Sequence, residues 1–352
     1  MGMKSLQLFG LIAVAAATLH SQPTNGPVYW SPVNPNLPPL DCSSLAGESP
    51  VAITNSWGTT IGYSCYVSGT FVWLAAGGGW RTSIRVAAPA SAAIGVDYTF
   101  YDTSGNNLRL DSTFGSGSSI TSGSGVNFAL SANQPAQVGL LGATSGAPQY
   151  SSTSTGTVYA VFYCPDAATC ANVLPQLLYA TLPTSSWLLS VPISWDTELW
   201  TQWSAEGIDD GSTHRVSLAI YNEDTTATSY TVRVYDSTGT LAGTGTTPLI
   251  PPLQALPNGS FGEGGTYGAL LSDVISTPLP PGVFKVLVDG GSRYSAVEVL
   301  QFDGPSAAAL QVAYDSAPRS SSSLFAASAR RLNVRSARVA STPKPVFSAL
   351  ER

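Results

Sequence analysis

The stretch from Trp195 to Asp210 concentrates the side chains of this chain that are best suited to chemistry. It reads WDTELWTQWSAEGIDD and holds three tryptophans and five acidic residues. Exposed indole rings stack on the faces of sugar rings, and carboxylates accept hydrogen bonds from sugar hydroxyls. The stretch therefore predicts a sugar-binding face made of Trp195, Trp200, Trp203, Asp196, Glu198 and Glu206.

Three other hypotheses compete for the same residues. A glycosidase would need two of the carboxylates, Glu198 and Glu206 for example, about 5–10 Å apart across a cleft. A calcium loop would use Asp209 and Asp210 with backbone carbonyls, although the pattern is not that of an EF-hand. The simplest hypothesis, which we favour, buries the tryptophans between sheets or modules and leaves the acids in solvent.

Few other residues suggest catalysis. His214 is the only histidine after the N-terminal segment, and its sequence context predicts a surface histidine on an edge strand. The chain has neither a Gly-x-Ser-x-Gly elbow nor a glycine-rich phosphate loop between a strand and a helix. The sequence therefore predicts a protein that is not an enzyme and that needs no cofactor, calcium being the one candidate.

Composition predicts a folded, all-β protein, because Gly, Ser, Thr, Pro, Val and Tyr are abundant. Charged residues make up only 10% of the chain, whereas 43% of the residues are apolar, which is unlike a disordered protein. Seven of the fifteen basic residues lie from Arg319 onward, so the body before them is acidic. An acidic body argues against nucleic acid as the partner, because phosphate binding needs clustered Lys and Arg.

The N-terminus and the cysteines indicate the compartment. Residues 1–21 have the short basic start and the apolar run of a signal peptide, and no later segment is apolar enough to span a bilayer. Cys42, Cys65, Cys164 and Cys170 form an even set, so disulfides are expected. Of the three pairings, we favour Cys42–Cys65 with Cys164–Cys170.

An internal repeat positions all these groups. Trp80 to Gly105 aligns without a gap with His214 to Gly239, at an offset of 134 residues. In both copies apolar residues alternate along two strands, and each copy then has a Tyr-Asp-x-x-Gly turn. Alternation of this kind predicts a sheet with one buried face. The residues predicted to face the core are Ile84, Val86, Val96, Tyr98 and Phe100, and in the second copy Leu218, Ile220, Tyr230, Val232 and Val234.

Later segments extend the repeat and set the expected boundaries. Residues 158–163 match residues 283–288, residues 177–180 match residues 311–314, and a proline follows each copy. We therefore expect two tandem antiparallel immunoglobulin-like β-sandwiches. The predicted divisions are a signal peptide at 1–21, a Pro-rich extension at 22–49, module one at 50–183, module two at 184–318 and a basic Ser- and Arg-rich tail at 319–352, solvated or in contact with an anionic surface.

The segment FVWLAAGGGWRT, residues 71–82, carries a resemblance. Gly77, Gly78, Gly79, Trp80 and Thr82, followed by the Asp-x-x-Gly turn, resemble the start of a β-sandwich module found in tandem in secreted bacterial proteins. The second copy lacks the glycines and the tryptophan. The resemblance implies the fold and no function.

These observations predict a secreted, non-catalytic protein that serves in structure, adhesion or binding to a cell-surface or extracellular polymer. The alternative is a carbohydrate-binding protein that uses residues 195–210. A glycoside-active enzyme is the third hypothesis.

Overall fold

The computed structural model describes most of the chain between residues 28 and 314. The predicted signal peptide, the predicted tail and Glu198 lie outside the described residues, which are 28–32, 40–45, 50–54, 59–115, 120–142, 152–181, 189–196, 200–254, 263–279, 282–303, 306–310 and 312–314. Among them, no helix has the length and apolar character needed to cross a membrane.

The structure is almost entirely β. The strands before residue 196 are β1 (Ser31–Pro32), β2 (Val51–Thr54), β3 (Thr60–Ala76), β4 (Trp80–Ala87), β5 (Ile94–Asp102), β6 (Leu110–Phe114), β7 (Ile120–Gly123), β8 (Gly125–Leu130), β9 (Pro135–Gly142), β10 (Ser154–Cys164), β11 (Gln176–Thr181), β12 (Leu189–Pro192) and β13 (Ser194–Trp195). The strands after it are β14 (Gln202–Asp209), β15 (His214–Asn222), β16 (Thr231–Tyr235), β17 (Leu241–Thr246), β18 (Thr266–Leu270), β19 (Gly282–Asp289), β20 (Ser295–Asp303), β21 (Ser306–Ala309) and β22 (Val312–Tyr314). The short helices are α1 (Ala167–Ala171) and α2 (Leu271–Val274).

Four antiparallel sheets form two sandwiches. In the first sandwich, one sheet has the order β1-β3-β10-β5-β8, with β2 and β13 also on β3, and the other has the order β12-β11-β4-β9-β6-β7. In the second, the orders are β17-β16-β19-β14-β22 and β18-β15-β20-β21. The prediction of two tandem antiparallel β-sandwiches is confirmed.

The alternating residues of the repeat form the two cores. All five predicted positions of each copy are buried, and Tyr98 and Val232 have no exposed surface. The first set packs with β10, β11 and the disulfide of α1, and the second set packs with β14, β19 and β20. Period-two alternation therefore fixes which face of each sheet is dry, because a slip by one residue would turn every one of these side chains outward.

The register of the central strands is the same in both copies. Across four strands of the first sandwich, one row runs Tyr98, Ala160, Gly69, Trp195. The matching row of the second sandwich is Val232, Val288, Trp203, Tyr314. The offset of 134 residues that relates Tyr98 to Val232 also relates Gly69 to Trp203, so the repeat extends into β3 and β14.

The end of each copy differs from the expected alignment. β20 pairs with β15 in the same way as β11 pairs with β4 in the first copy, so β20 is the equivalent of β11. β22 pairs with β14 instead. The match of residues 177–180 with residues 311–314 is therefore wrong, because residues 177–180 correspond to part of β20. β12 and β13 instead correspond to β21 and β22. In each copy, the first strand of this pair lies in one sheet and the second strand lies in the other sheet. The strand pairing thus places β12 and β13 in the first sandwich, beyond the expected boundary at residue 183.

The described residues between 28 and 54, which are 28–32, 40–45 and 50–54, add a third layer to the first sandwich. β1 and β2 pair with the first part of β3, and the rings of Tyr29 and Trp30 pack over a tyrosine-rich outer face of the sheet. A disulfide between Cys42 and Cys65 links this layer to β3, and a second between Cys164 and Cys170 links β10 to α1. Both predicted pairings are confirmed.

Candidate functional site

The structure separates the tryptophans of residues 195–210. Trp195 lies on β13 in the first sandwich, where its ring packs edge-on against Phe162 with centroids 6.0 Å apart. Trp203 lies on β14 in the second, is only 3% exposed, and donates from Nε1 to the Ser295 carbonyl oxygen at 3.1 Å. Trp203 is therefore part of a core, and its predicted role in an exposed sugar platform is wrong.

Asp196 also has a structural position. It is 3% exposed, and its Oδ2 accepts hydrogen bonds from Ser68 Oγ at 2.5 Å and Tyr159 OH at 3.1 Å. Its backbone N–H donates to the Ser68 carbonyl oxygen at 3.0 Å. Buried carboxylates are stable only when they are hydrogen-bonded, so Asp196 fastens the end of β13 to the first sandwich. The prediction that Asp196 contacts a ligand is wrong for this reason.

The remaining members of the predicted platform lie apart. Glu206 is exposed on the outer face of β14, directly opposite Lys285. Trp200 is half-buried and bridges to Ser295 through its backbone. Within the described part of the chain, these groups do not share one face.

Asp209 and Asp210 hold the hairpin between β14 and β15. Asp209 accepts from the backbone N–H groups of Gly211 at 2.9 Å and Val216 at 3.0 Å. Asp210 Oδ1 accepts from the N–H groups of Ser212 and His214, and these bonds lower the pKa of Asp210 to about 2. The described residues contain no group of three or more acidic, His or Cys side chains placed to hold a metal, so the calcium hypothesis gains no support.

His214 forms a surface pair with Asp303. Its Nδ1 lies 2.8 Å from Asp303 Oδ1, and the hydrogen bond with that carboxylate raises the pKa of His214. Gln301 Nε2 donates to the same oxygen at 2.6 Å. Both members are about two-fifths exposed, so this pair ties β15 to β20 at the sheet end and contributes little to stability.

A β-bulge joins the sandwiches. The register of β3 against β10 shifts between Phe71↔Val158 and Leu74↔Gly156, so β3 carries one extra residue at Val72–Trp73. Backbone groups released from the ladder by a bulge need other partners. Here the Val72 carbonyl accepts from Thr266 Oγ1 of the second sandwich at 3.0 Å. Tyr179 OH donates to the Trp73 carbonyl oxygen.

The bulge is the centre of an apolar contact between the sandwiches. Val72 is buried together with Ala219, Tyr221 and Ala296 from the outer faces of β15 and β20. Leu300 of β20 reaches into the core of the first sandwich. We call this contact the joint.

The Asp-x-x-Gly turn of the first copy completes the joint. The Thr103 carbonyl oxygen accepts from the Thr266 backbone N–H at 3.0 Å, and the Ser104 carbonyl oxygen accepts from Gln254 Nε2 at 2.8 Å. Gly105 has φ +80° and approaches so closely that a Cβ would lie 2.3 Å from the Glu263 carbonyl oxygen. Only glycine fits there, both for its positive φ and for the space.

One carboxyl group is buried in the joint. Glu298 lies on the outer face of β20, is 7% exposed, and accepts a hydrogen bond from the Trp73 backbone N–H. Its Oε1 has no hydrogen-bond partner among the described residues. Burial raises the pKa of Glu298 to about 8, so the group is neutral at pH 7.

A groove runs along the edge of the joint. It has a volume of about 360 Å³ and is lined from the first sandwich by Trp73, Thr103 and Ser104, and from the second by residues 248–251 and 266–268. None of these lining residues carries a charge. The site combines two aromatic rings with hydroxyl groups, which is a usual composition for a small-ligand site.

Sequence reasoning missed this groove, because its parts are far apart in the chain and meet only when the sandwiches dock. One local signal was available. Trp73 sits in an apolar stretch, residues 71–76, that lacks the alternation seen in β4 and β5.

Comparison with known proteins adds no assignment, since no protein-family model and no curated protein matches this chain.

Proposed function

We propose that this is a secreted, non-catalytic protein that binds a cell-surface or extracellular polymer, with its two sandwiches held as one unit. The observation that carries the proposal is the joint, because it fixes the sandwiches and forms an open, uncharged groove across both. Clefts at the interface between two domains are preferred places for ligand sites.

Two further features support it. All four cysteines are paired in disulfides, which suits an oxidising compartment outside the cytosol. Asp196 and Asp209, two of the five acids in residues 195–210, serve as hydrogen-bond acceptors within the fold.

The test is a retention assay with the full chain recovered from the culture medium of an expressing host. Retention on washed cells, cellulose or chitin, without release of reducing sugar, is the expected result. Failure to reach the medium, or retention on none of these surfaces, would count against the proposal. Hydrolysis of a glycoside panel that Glu206→Gln abolishes would instead favour the enzyme hypothesis.

A carbohydrate-binding protein is the second candidate. For that function, the groove is a better candidate for the sugar site than the platform predicted at residues 195–210. Trp73 and Tyr267 bring aromatic rings to the groove, and both are half-buried rather than enclosed. The contact of the basic tail with an anionic surface stays a separate prediction, since residues 319–352 lie outside the described residues.

A further inference from the structure

Trp73 is held in place more firmly than packing alone requires. Its backbone N–H donates to Glu298, and its carbonyl oxygen accepts from Tyr179 OH. A Cβ on Gly268 would lie 2.8–2.9 Å from three atoms of the Trp73 ring, Cζ3, Cε3 and Cη2. The ring thus rests directly on the Gly268 backbone, and its orientation is set before any ligand arrives.

The Asp-x-x-Gly turn of the first copy forms one side of the groove, and this side carries hydroxyl groups. Thr103 and the exposed Ser104 line it, and the Gln254 amide reaches Ser104 O at 2.8 Å and Asn106 Oδ1 at 3.2 Å. Two aromatic rings together with hydroxyl groups match a sugar ring, which is apolar on its faces and hydroxylated at its rim.

Charge narrows the ligand class. The residues that line the groove are neutral. The whole chain carries a net charge of -6, and the body before the tail is more negative still because many of the basic residues lie in the tail. A polyanion would meet repulsion from the body and no cation in the groove. A proline-rich peptide would use the aromatic rings, but its prolines offer only carbonyl acceptors, whereas sugar hydroxyls both donate to and accept from the hydroxyl groups at the polar side.

We propose that the groove at the joint binds a neutral oligosaccharide chain, with one sugar ring stacked on Trp73 and hydroxyls bound near Ser104. This inference rests on the proposed function and names the ligand class of its groove. The preset ring keeps the entropic cost of binding low.

The probes are cellohexaose, chitohexaose, laminarihexaose and mannohexaose, titrated into the full chain by calorimetry. Hexagalacturonate serves as the anionic comparison and decaproline as the peptide comparison. We expect at least one neutral hexasaccharide to bind and neither comparison to do so. Binding of decaproline alone, of hexagalacturonate alone, or of none of the probes would overturn the inference.

The repeat offers a matched pair of variants. Ser104→Trp fills the groove from an exposed turn position, and Thr238→Trp places the same side chain at the equivalent position of the second copy, outside the groove. We expect Ser104→Trp to weaken binding at least about tenfold and Thr238→Trp to change it less than about twofold. Equal effects of the two variants would overturn the inference.

Trp73→Phe tests the stacking separately, because it keeps an aromatic ring in the joint. We expect this variant to bind the oligosaccharide more weakly, with an unfolding temperature within a few degrees of that of the original protein. An unchanged affinity would contradict the stacking of the sugar on Trp73. If Ser104→Trp leaves retention on cellulose or chitin intact, this inference fails while the proposed function stands. If the unmodified chain shows no retention, the proposed function itself fails.

Discussion

Val72 and Glu206 occupy the same position of the repeated sheet, but Val72 is buried in the joint whereas Glu206 is exposed. The equivalence follows from the shared row in which Gly69 matches Trp203. β14 pairs with β19 without a break, so the second copy has no bulge after this position. A charged residue on a regular strand therefore replaces the apolar residue that forms the contact in the first copy.

Replacing Val72 with Glu should open the joint. The variant places a charge in the apolar cluster of Ala219, Tyr221 and Ala296, where burying an unpaired charge is costly. We expect the sandwiches to unfold in two separate calorimetric transitions and small-angle scattering to show a larger radius of gyration. Glu206→Val is the control and should change stability by less than about 0.5 kcal/mol. A single transition with an unchanged scattering curve for Val72→Glu would contradict the role of Val72.

Two equivalent glycines allow the contribution of the joint to the free energy of unfolding to be measured by comparison. Gly105 and Gly239 hold equivalent turn positions with φ of +80° and +81°, but a Cβ would meet Glu263 only at Gly105. Alanine at either site should cost about 1 kcal/mol for the backbone conformation. We expect Gly105→Ala to cost at least about 1 kcal/mol more, because the turn must move away from the second sandwich. Urea unfolding of both variants gives the comparison, and equal costs would show that the turn does not bear on the joint.

Stability should fall as the pH rises through the titration of Glu298. Its pKa is about 8 in the folded protein and has its ordinary value of 4.5 in the unfolded chain. The folded state therefore holds one more proton between these values, and each pH unit in this window should cost up to about 1.4 kcal/mol. The contribution is complete below pH 4.5 and lost above pH 8.

Glu298→Gln removes this titration and keeps the shape of the side chain. Between pH 5 and pH 9 the free energy of unfolding should fall less steeply in the variant than in the original protein, by a total of about 4 kcal/mol. Urea unfolding across the pH range measures the difference. Parallel pH profiles would show that Glu298 is not held neutral in the joint.

Trp203→Ala distinguishes a core residue from a ligand contact. Because Trp203 is buried in the second core, its loss should cost about 3–5 kcal/mol and lower the yield of folded protein. A variant of normal stability with weaker retention on polysaccharide would restore the predicted platform. Thermal unfolding and the retention assay decide between these outcomes.

The repeated strands could be predicted because their signal is local. Each alternating residue of β4, β5, β15 and β16 reports on its own strand, and the ten core positions followed from that. The favoured disulfides followed from the position of the four cysteines, which all lie in or before the first copy. Residues 177–180 were matched wrongly because two short apolar strands look alike in sequence, and only the pairing of β20 with β15 distinguishes them.

The site needed information that no single segment holds. Whether Trp195 or Trp203 faces solvent depends on the strand that lies across from it, and Asp196 is buried only because Ser68 and Tyr159 meet it there. The groove likewise depends on a bulge at Trp73 and on the docking of two sandwiches. Composition detected the aromatic residues and carboxylates but not the layer into which each one points.

The 17-residue strand β3 has a mechanical consequence. Cys65, the sixth residue of the strand, ties it covalently to the N-terminal layer, and Val72 and Trp73 near its end contact the second sandwich. A force that pulls the N-terminal layer and the second sandwich apart would load this strand lengthwise, so that its hydrogen bonds with β10 are sheared together rather than opened one after another. Under tension, the molecule would then resist extension up to a high force and unfold in a single step.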